Sequence, residues 1–273
     1  MFLGLLVRCK EEPYVREFVA YYLSQGVDTI YILDDGSHPR IYTEVRDNPK
    51  VHITYDHNII RKNSIKTLYD AIKNQYEWVM YVDMDEYITT KKNKNKTIRQ
   101  ELETTFSECE CIKIPWVMMS CNGVKKNPVS LLNTNIHRWN HDKTHVNQIS
   151  NEHKFRCRYE KIEVKCIFKP RYFHDIFDHH PRSPSSAHTV RIVDGVYNKP
   201  QSLTSFYSSL REKDIEQGFL LCYHYRILSI ENCSSKIANN AWYKAYTLQD
   251  LLSTDYAEIV DTILQQKMVI RDG

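Results

Sequence analysis

The feature that most constrains this chain is an alternation running through roughly its first 120 residues. Short apolar runs stand at residues 2–7 (FLGLLV), 29–33 (TIYIL), 51–55 (VHITY) and 78–82 (WVMYV), each too short for a helix and rich in strand formers. Between them lie stretches of helical period. After Pro13, the residues Tyr14, Phe18 and Tyr22 recur every four positions, and Gly26 stands where a helix-ending glycine belongs. "SIKTLYDAIKNQY" and "TIRQELETTF" repeat the helical pattern, the second leading into a strand over 111–119. Strand and helix in turn predict an α/β fold with a largely parallel sheet, because parallel neighbours need a crossover that a helix supplies. In such sheets ligands bind beyond the carboxyl ends of the strands.

One of those ends is unusual. "WVMYVDMDEYI" runs an apolar strand straight into Asp83, Asp85 and Glu86. Carboxylates held together at neutral pH repel, and a divalent cation is one way to compensate them. All-oxygen ligands favour a hard ion such as Mg²⁺ or Mn²⁺. The plainer alternative is a solvated loop whose carboxylates cap a helix. Other chemistries lack their signatures. There is no G-x-x-x-x-G-K-[ST] loop, no G-x-G-x-x-G, no G-x-S-x-G elbow and no calcium-loop spacing.

Bulk properties narrow the field further. A net charge of +3 gives no reason to expect nucleic acid as a partner. Eight cysteines at irregular spacing do not form a disulfide framework, and one C-x-C (Cys109, Cys111) is a poor zinc signature. They are expected to be reduced core residues. No stretch reaches the about 20 apolar residues of a transmembrane helix, and the apolar start is too short for a signal peptide. A cytoplasmic protein is expected, in the host cytoplasm if the source is viral.

Three segments together resemble a known family. "LLVRCKEEPYVREFVAYYLSQGVDTIYILDDGSHP" looks like the opening of family-2-like and family-92-like glycosyltransferases of GT-A fold, with a charged "R-x-K-x-E" turn after the first strand. "YVDMDEYI" is similar to their D-x-D-E segment, with Tyr87 where Phe is commoner, and "CYHYRILSIENCSSK" resembles their late "H-Y-x-x-x-S-x-x-x-x-x-x-K". "KCIFKP" looks like their "K-x-I-x-x-P". The resemblance implies a Rossmann-like, mostly parallel central sheet flanked by helices. Residues 1–235 would form the catalytic domain, with 1–120 binding the nucleotide-sugar and 121–235 forming an irregular acceptor side. Residues 236–273 would be a helical extension on the same domain, and "SSKIANNAWYKAYTLQDLL" and "YAEIVDTILQQKM" read as two closing helices.

The implied reaction is transfer of a sugar from a nucleotide-sugar, UDP-linked by expectation, to a hydroxyl of a glycan or glycoprotein, with Mn²⁺ or Mg²⁺ as cofactor. The implied metal ligands are Asp85, Asp83 and His224, although His224 in "CYHYR" also reads as a buried strand histidine. Asp83 could instead reach a water or the ribose, and Glu86 is expected to support the loop. Asp34 and Asp35 end the second strand, where a carboxylate can accept from a base N–H or a ribose hydroxyl, or simply form an Asx turn. Arg8, Lys10, Arg61, Lys66 and Lys165 are phosphate candidates, Arg suiting bidentate contact; solvated surface is the alternative for Arg8 and Lys10. A base to deprotonate the acceptor is sought in "RYFHDIFDHHPRSP", where Asp175, Asp178 and His180 are the candidates, unless the segment is a second metal site or a polar loop. The run "KKNKNK" at 91–96 reads as an exposed loop. Trp116 and Trp139 suit either sugar stacking or core packing.

Two rival functions differ in what they need. A nucleotidyltransferase would usually carry a glycine-rich basic loop after the first strand, and "VRCKEEPY" has no glycine. A non-enzymatic metal- or carbohydrate-binding module would use the His- and Cys-bearing middle for zinc.

Overall fold

Leu3–Cys9 (β1) is buried along nearly its whole length because it lies inside the sheet, between two parallel neighbours. A computed structural model describes residues 1–38, 45–56, 63–143, 145, 162–207, 209–240 and 243–269. On one side of β1 runs Thr29–Asp34 (β2), followed by Val51–Tyr55 (β3); on the other runs Trp78–Asp83 (β4). All three pairings are parallel, as the alternation requires. The connecting helices include Val15–Ser24 (α1) and Ser64–Ile72 (α2). Each large apolar side chain buried here, such as Leu5, Phe18 or Ile32, contributes about 1.5–3 kcal/mol. Gly26 has φ 89°, and a Cβ there would come within 2.6 Å of Arg99 Cβ, so glycine is required by both conformation and space.

Beyond β4 the sheet changes character. The chain turns at Met84 and Asp85 into Glu86–Thr90 (β5), then Ile98–Thr104 (α3), capped by a reciprocal pair of hydrogen bonds between Thr97 and Gln100. Cys111–Ser120 (β6) follows, then Leu131–Thr134 (α4) and His137–Arg138 (β7). Ile162–Phe168 (β8) inserts antiparallel between β4 and β6. The strand hairpin of Phe173–Ile176 (β9) and Pro181–Pro184 (β10) stands apart as its own two-stranded sheet. Ile192–Asp194 (β11) and Phe206–Tyr207 (β12) pair with β6 and β8.

The remaining elements bring the late sequence back to the centre. After Glu212–Gln217 (α5), Leu220–His224 (β13) lies between β5, antiparallel, and β6, parallel. Ile230–Asn239 (α6), Leu248–Leu252 (α7), Ile259–Val260 (β14) and Ile263–Val269 (α8) end the described chain. The described strands give one twelve-stranded sheet with the main path β14-β7-β6-β8-β4-β1-β2-β3. The result is a mixed α/β fold with a largely parallel central sheet flanked by helices.

Three expectations need correcting. Residues 162–168 belong to no irregular region: "IEVKCIF" is a fully buried central strand, its charges Glu163 and Lys165 included. The two closing helices are broken, since Asn239 and Asn240 end α6, Thr247 caps a new short helix, and β14 pairs with β7. The lysine run is not wholly exposed either. Lys91 is buried on Asp261 at 2.8 Å, and Asp261 also takes Arg138 at 2.9 Å and the Tyr223 hydroxyl at 2.8 Å. The seven described cysteines are all buried and free of disulfides.

One buried histidine sets an acid limit on stability. His141 Nε2 accepts the Met118 N–H at 3.4 Å, and burial pushes its pKa down to about 3 from 6.5. The unfolded chain therefore takes up this proton first. The share of stability that rests on the neutral imidazole is complete above pH 6.5 and is lost as pH drops toward about 3. Thermal melts from pH 7 to pH 4 should show a falling Tm, with a shallower fall in His141→Gln. An unchanged slope in that variant would contradict the assignment.

Candidate active site

The site forms where β1, β2 and β4 end together, because parallel register places Arg8 opposite Asp83 and Cys9 opposite Asp34. Asp83 is claimed by two cations. Arg8 Nη2 donates to Oδ1 at 3.1 Å and Lys165 Nζ to Oδ2 at 2.9 Å. Lys165 is fully buried and also lies 3.2 Å from Glu86 Oε2 and 3.0 Å from the Asp178 carbonyl. Burial favours its neutral form, but Asp83 and Glu86 more than offset that and hold the ammonium charged. For Asp83 the balance also falls to the ions: burial raises its pKa, while Lys165 and Arg8 bring it below the usual carboxylate range. Glu86 goes the other way, pushed well up by burial with Lys165 only partly countering. Its carboxylate accepts the Asp83 N–H at 2.7 Å, which fixes the turn.

That turn is braced from behind. Tyr22 donates its hydroxyl to the Glu86 carbonyl at 2.8 Å and accepts the Ile88 N–H at 3.0 Å, while Tyr21 donates to the Ile88 carbonyl at 2.8 Å. The helical spacing seen in the sequence thus serves to clamp β5. On the other side, the Tyr225 N–H donates to the Asp85 carbonyl at 2.8 Å.

Asp85 faces a different set of groups. Its Oδ1 lies 3.6 Å from His224 Nε2, and its Oδ2 accepts from Lys236 Nζ at 3.1 Å. His224 arrives on β13, whose register sets it opposite Glu86. Burial pushes the imidazole down to about 4, so it is neutral at physiological pH, and its Nδ1 has no hydrogen-bond partner among the described residues. A neutral imidazole nitrogen and a carboxylate oxygen that face each other without a hydrogen bond are a donor pair suited to a divalent cation, Mn²⁺ in particular. The expected ligand trio is therefore divided: Asp85 and His224 are brought together, and Asp83 is engaged by Arg8 and Lys165. Among the described residues no group of three or more His, Cys, Asp or Glu side chains is gathered as a metal cage. A cation at this pair would draw its other ligands from substrate oxygens and water.

The other expected residues fall in several places. Asp34 is buried; Oδ1 accepts the Ser37 N–H at 2.9 Å, and Oδ2 has no hydrogen-bond partner among the described residues. Asp35 pairs loosely with the exposed Lys10 at 3.9 Å. Lys66 pairs along its own helix with Asp70, and Arg61 lies outside the described residues. Asp178 accepts the Tyr81 hydroxyl at 3.2 Å and stands 3.7 Å from Arg8, so the tip between β9 and β10 reaches the acidic site. Asp175 caps its own strand through the Ile176 N–H, and His180 Nδ1 donates to the Pro181 carbonyl at 2.8 Å.

Two residues had no role assigned from sequence. Lys236 holds Asp85, and Glu12 is half-buried near Lys236, Asp85 and Asp83, its carboxyl pushed up to about 7 by burial, with Lys236 opposing and the two aspartates adding. Both lie in segments that carry the family resemblance, as the last residue of "R-x-K-x-E" and the closing lysine of the late motif. That position in the motifs was the available signal.

The model of glycosyltransferase family 92 matches residues 69–254, more than half the chain, and the chain belongs to that family. It is a glycosyltransferase. Among solved structures it is similar to HddC from Yersinia pseudotuberculosis, at 11% identity and TM-score 0.37 over 71% of this chain and 89% of that one. It is also similar to 4-diphosphocytidyl-2C-methyl-D-erythritol synthase from Anaerococcus prevotii, at 12% identity and TM-score 0.34 over 78% and 94%. Both likenesses are weak. No curated protein matches the sequence. No helix among the described residues is long and apolar enough to cross a membrane.

Proposed function

We propose that this glycosyltransferase moves a sugar from a UDP-sugar to a hydroxyl of a glycan or glycoprotein, with Mn²⁺ or Mg²⁺ held by Asp85 and His224. The observation that carries the reading is the Asp85–His224 pair, 3.6 Å apart beside the ends of the parallel strands. The ion, when bound, supplies positive charge to the diphosphate as the leaving group departs.

The chain's own residues do the rest. Asp34, buried, braces the turn after β2 by accepting the Ser37 N–H, and the more accessible Asp35 beside it accepts a hydrogen bond from the base or ribose. Arg8 and Lys236, both already facing carboxylates in the site, offer N–H donors to phosphate oxygens. Lys165 is too deeply buried for that and holds Asp83 and Glu86 in place, so the turn is set before substrate arrives. Glu12 and Asp178 are the carboxyl groups beside the site that can take the acceptor's proton. Asp178 is already tied to Tyr81, which leaves Glu12 the freer of the two.

Binding of nucleoside diphosphates to the purified enzyme, with and without Mn²⁺, tests this. UDP should bind more tightly than ADP, GDP or CDP, and its affinity should rise with the metal. Equal affinity for all four, or indifference to the metal, would refute the donor assignment.

A further inference from the structure

Lys236 reaches Asp85 from a helix that is pinned in place. At the start of α6 the Ser229 hydroxyl accepts the Asn232 N–H at 2.9 Å and donates to Asn127 Oδ1 at 2.6 Å. The Ile230 N–H donates to the Val124 carbonyl at 2.9 Å. Cys233 packs with Cys121, Ile227 and Leu251 in a small apolar cluster of its own. The helix is thereby fixed to the chain that follows β6. Only the lysine side chain, with its flexible four-carbon stem, is left to move the charge.

The ammonium donates to Asp85 Oδ2 at 3.1 Å and to the Arg226 carbonyl at 3.0 Å, and it lies 5.9 Å from the centre of the Tyr243 ring. Both partners of the ion pair are mostly enclosed, with side-chain exposures of 13% for Lys236 and 14% for Asp85. Salt screens such a pair poorly. The other oxygen of the same carboxylate, Oδ1, is the one that faces His224 Nε2 at 3.6 Å. A dication between Oδ1 and Nε2 and an ammonium on Oδ2 would be two positive groups on one carboxylate, close enough to repel strongly. Each cation therefore weakens the hold of the other on Asp85.

We propose that Lys236 is a tethered counter-ion for Asp85: it opposes metal binding in the donor-free enzyme and gives the carboxylate up when a diphosphate arrives to take the ammonium. This rests on the reading of Asp85 and His224 as the metal pair, and adds to it the device that couples metal to donor. A diphosphate carries more negative charge than one carboxylate and presents several acceptor oxygens, so it draws the ammonium away from Oδ2. The Arg226 carbonyl remains an acceptor through the exchange. The freed carboxylate and the phosphate oxygens then favour a divalent cation together. Donor and metal bind cooperatively, and part of that cooperativity passes through Lys236, not through direct metal–phosphate contact alone.

Mn²⁺ titration of the whole protein, followed by the electron paramagnetic resonance of the free ion with and without UDP, tests this. Without UDP, Lys236→Met and Lys236→Gln should each bind Mn²⁺ at least about tenfold more tightly than the wild type. Lys236→Arg keeps the charge and should stay within about twofold of the wild type. The factor by which UDP strengthens Mn²⁺ binding should shrink at least about fivefold in the two neutral variants. Lys125→Met removes an exposed charge from the neighbouring loop and should alter neither quantity, which separates a specific counter-ion from the general field. Melting curves on the same samples identify folded protein. The glutamine can still donate to the Arg226 carbonyl, so it carries the test alone if the methionine variant unfolds. Unchanged Mn²⁺ affinity in the neutral variants, an equal gain in Lys125→Met, or an undiminished UDP effect would overturn the proposal. Mn²⁺ binding that Asp85→Asn leaves untouched would overturn the metal reading itself, and the proposal with it.

Discussion

Asp85→Asn should lower sugar transfer and donor hydrolysis by roughly 10²–10³-fold or more, while leaving the thermal unfolding midpoint nearly unchanged. The substitution keeps a side-chain oxygen of the same size but removes the charge that faces His224 and Lys236. Stability should barely respond because the asparagine oxygen can still accept from Lys236, which also keeps the Arg226 carbonyl as a second acceptor at 3.0 Å. Steady-state rates with a nucleotide-sugar, alongside melting curves, check both halves. Near-normal turnover would remove Asp85 from the reaction. A large fall in melting temperature would recast it as a structural ion pair.

The opposite profile is expected at Lys165→Met. The methionine fills similar volume but leaves the fully buried Glu86 without its ammonium, and the partly exposed Asp83 with Arg8 alone. Breaking a buried pair by removing one partner costs about 3–5 kcal/mol, because the remaining charge is uncompensated. Urea unfolding should show a loss of that size. Activity should fall too, since Asp83 and the turn after it lose their anchor. Adding Asp83→Asn to Lys165→Met should recover part of the stability, giving a coupling energy that neither single change shows. A loss below about 1 kcal/mol for Lys165→Met would mean the pair is worth no more than an exposed one.

These two residues also explain how far the sequence could be read. The first four strands and their helices were legible because their signals are local: an apolar run is buried wherever it sits, and a four-residue period makes a helix face. The D-x-D-E segment was legible as a strand end for the same reason. What became of Asp83 was not. Its partners are Arg8, 75 positions away, and Lys165, 82 positions away, and no local pattern states that they meet. Strand β8 was hidden by the same pair, since Glu163 and Lys165 interrupt its apolar run and only distant carboxylates and neighbours make their burial tolerable. Strand β5, "EYITT", carries a buried glutamate and two buried threonines that disguise it as loop. The closing helices were overextended because the asparagines that end α6 interrupt the pattern only weakly. His224 could be named from its motif, but its setting opposite Glu86 depends on β13 entering the sheet between β5 and β6.

The division of the acidic residues has a functional meaning. Asp83 and Glu86 share an internal cation and form the frame. Asp85 is left to the chemistry, its carboxylate held by Lys236 and faced by a neutral histidine. The most direct test of this account is calorimetric titration of UDP into the wild-type enzyme, with and without Mn²⁺. Affinity should rise at least about tenfold with the metal, and by linkage UDP should strengthen metal binding by the same factor. UDP affinity that is identical in the presence and absence of Mn²⁺ would contradict it.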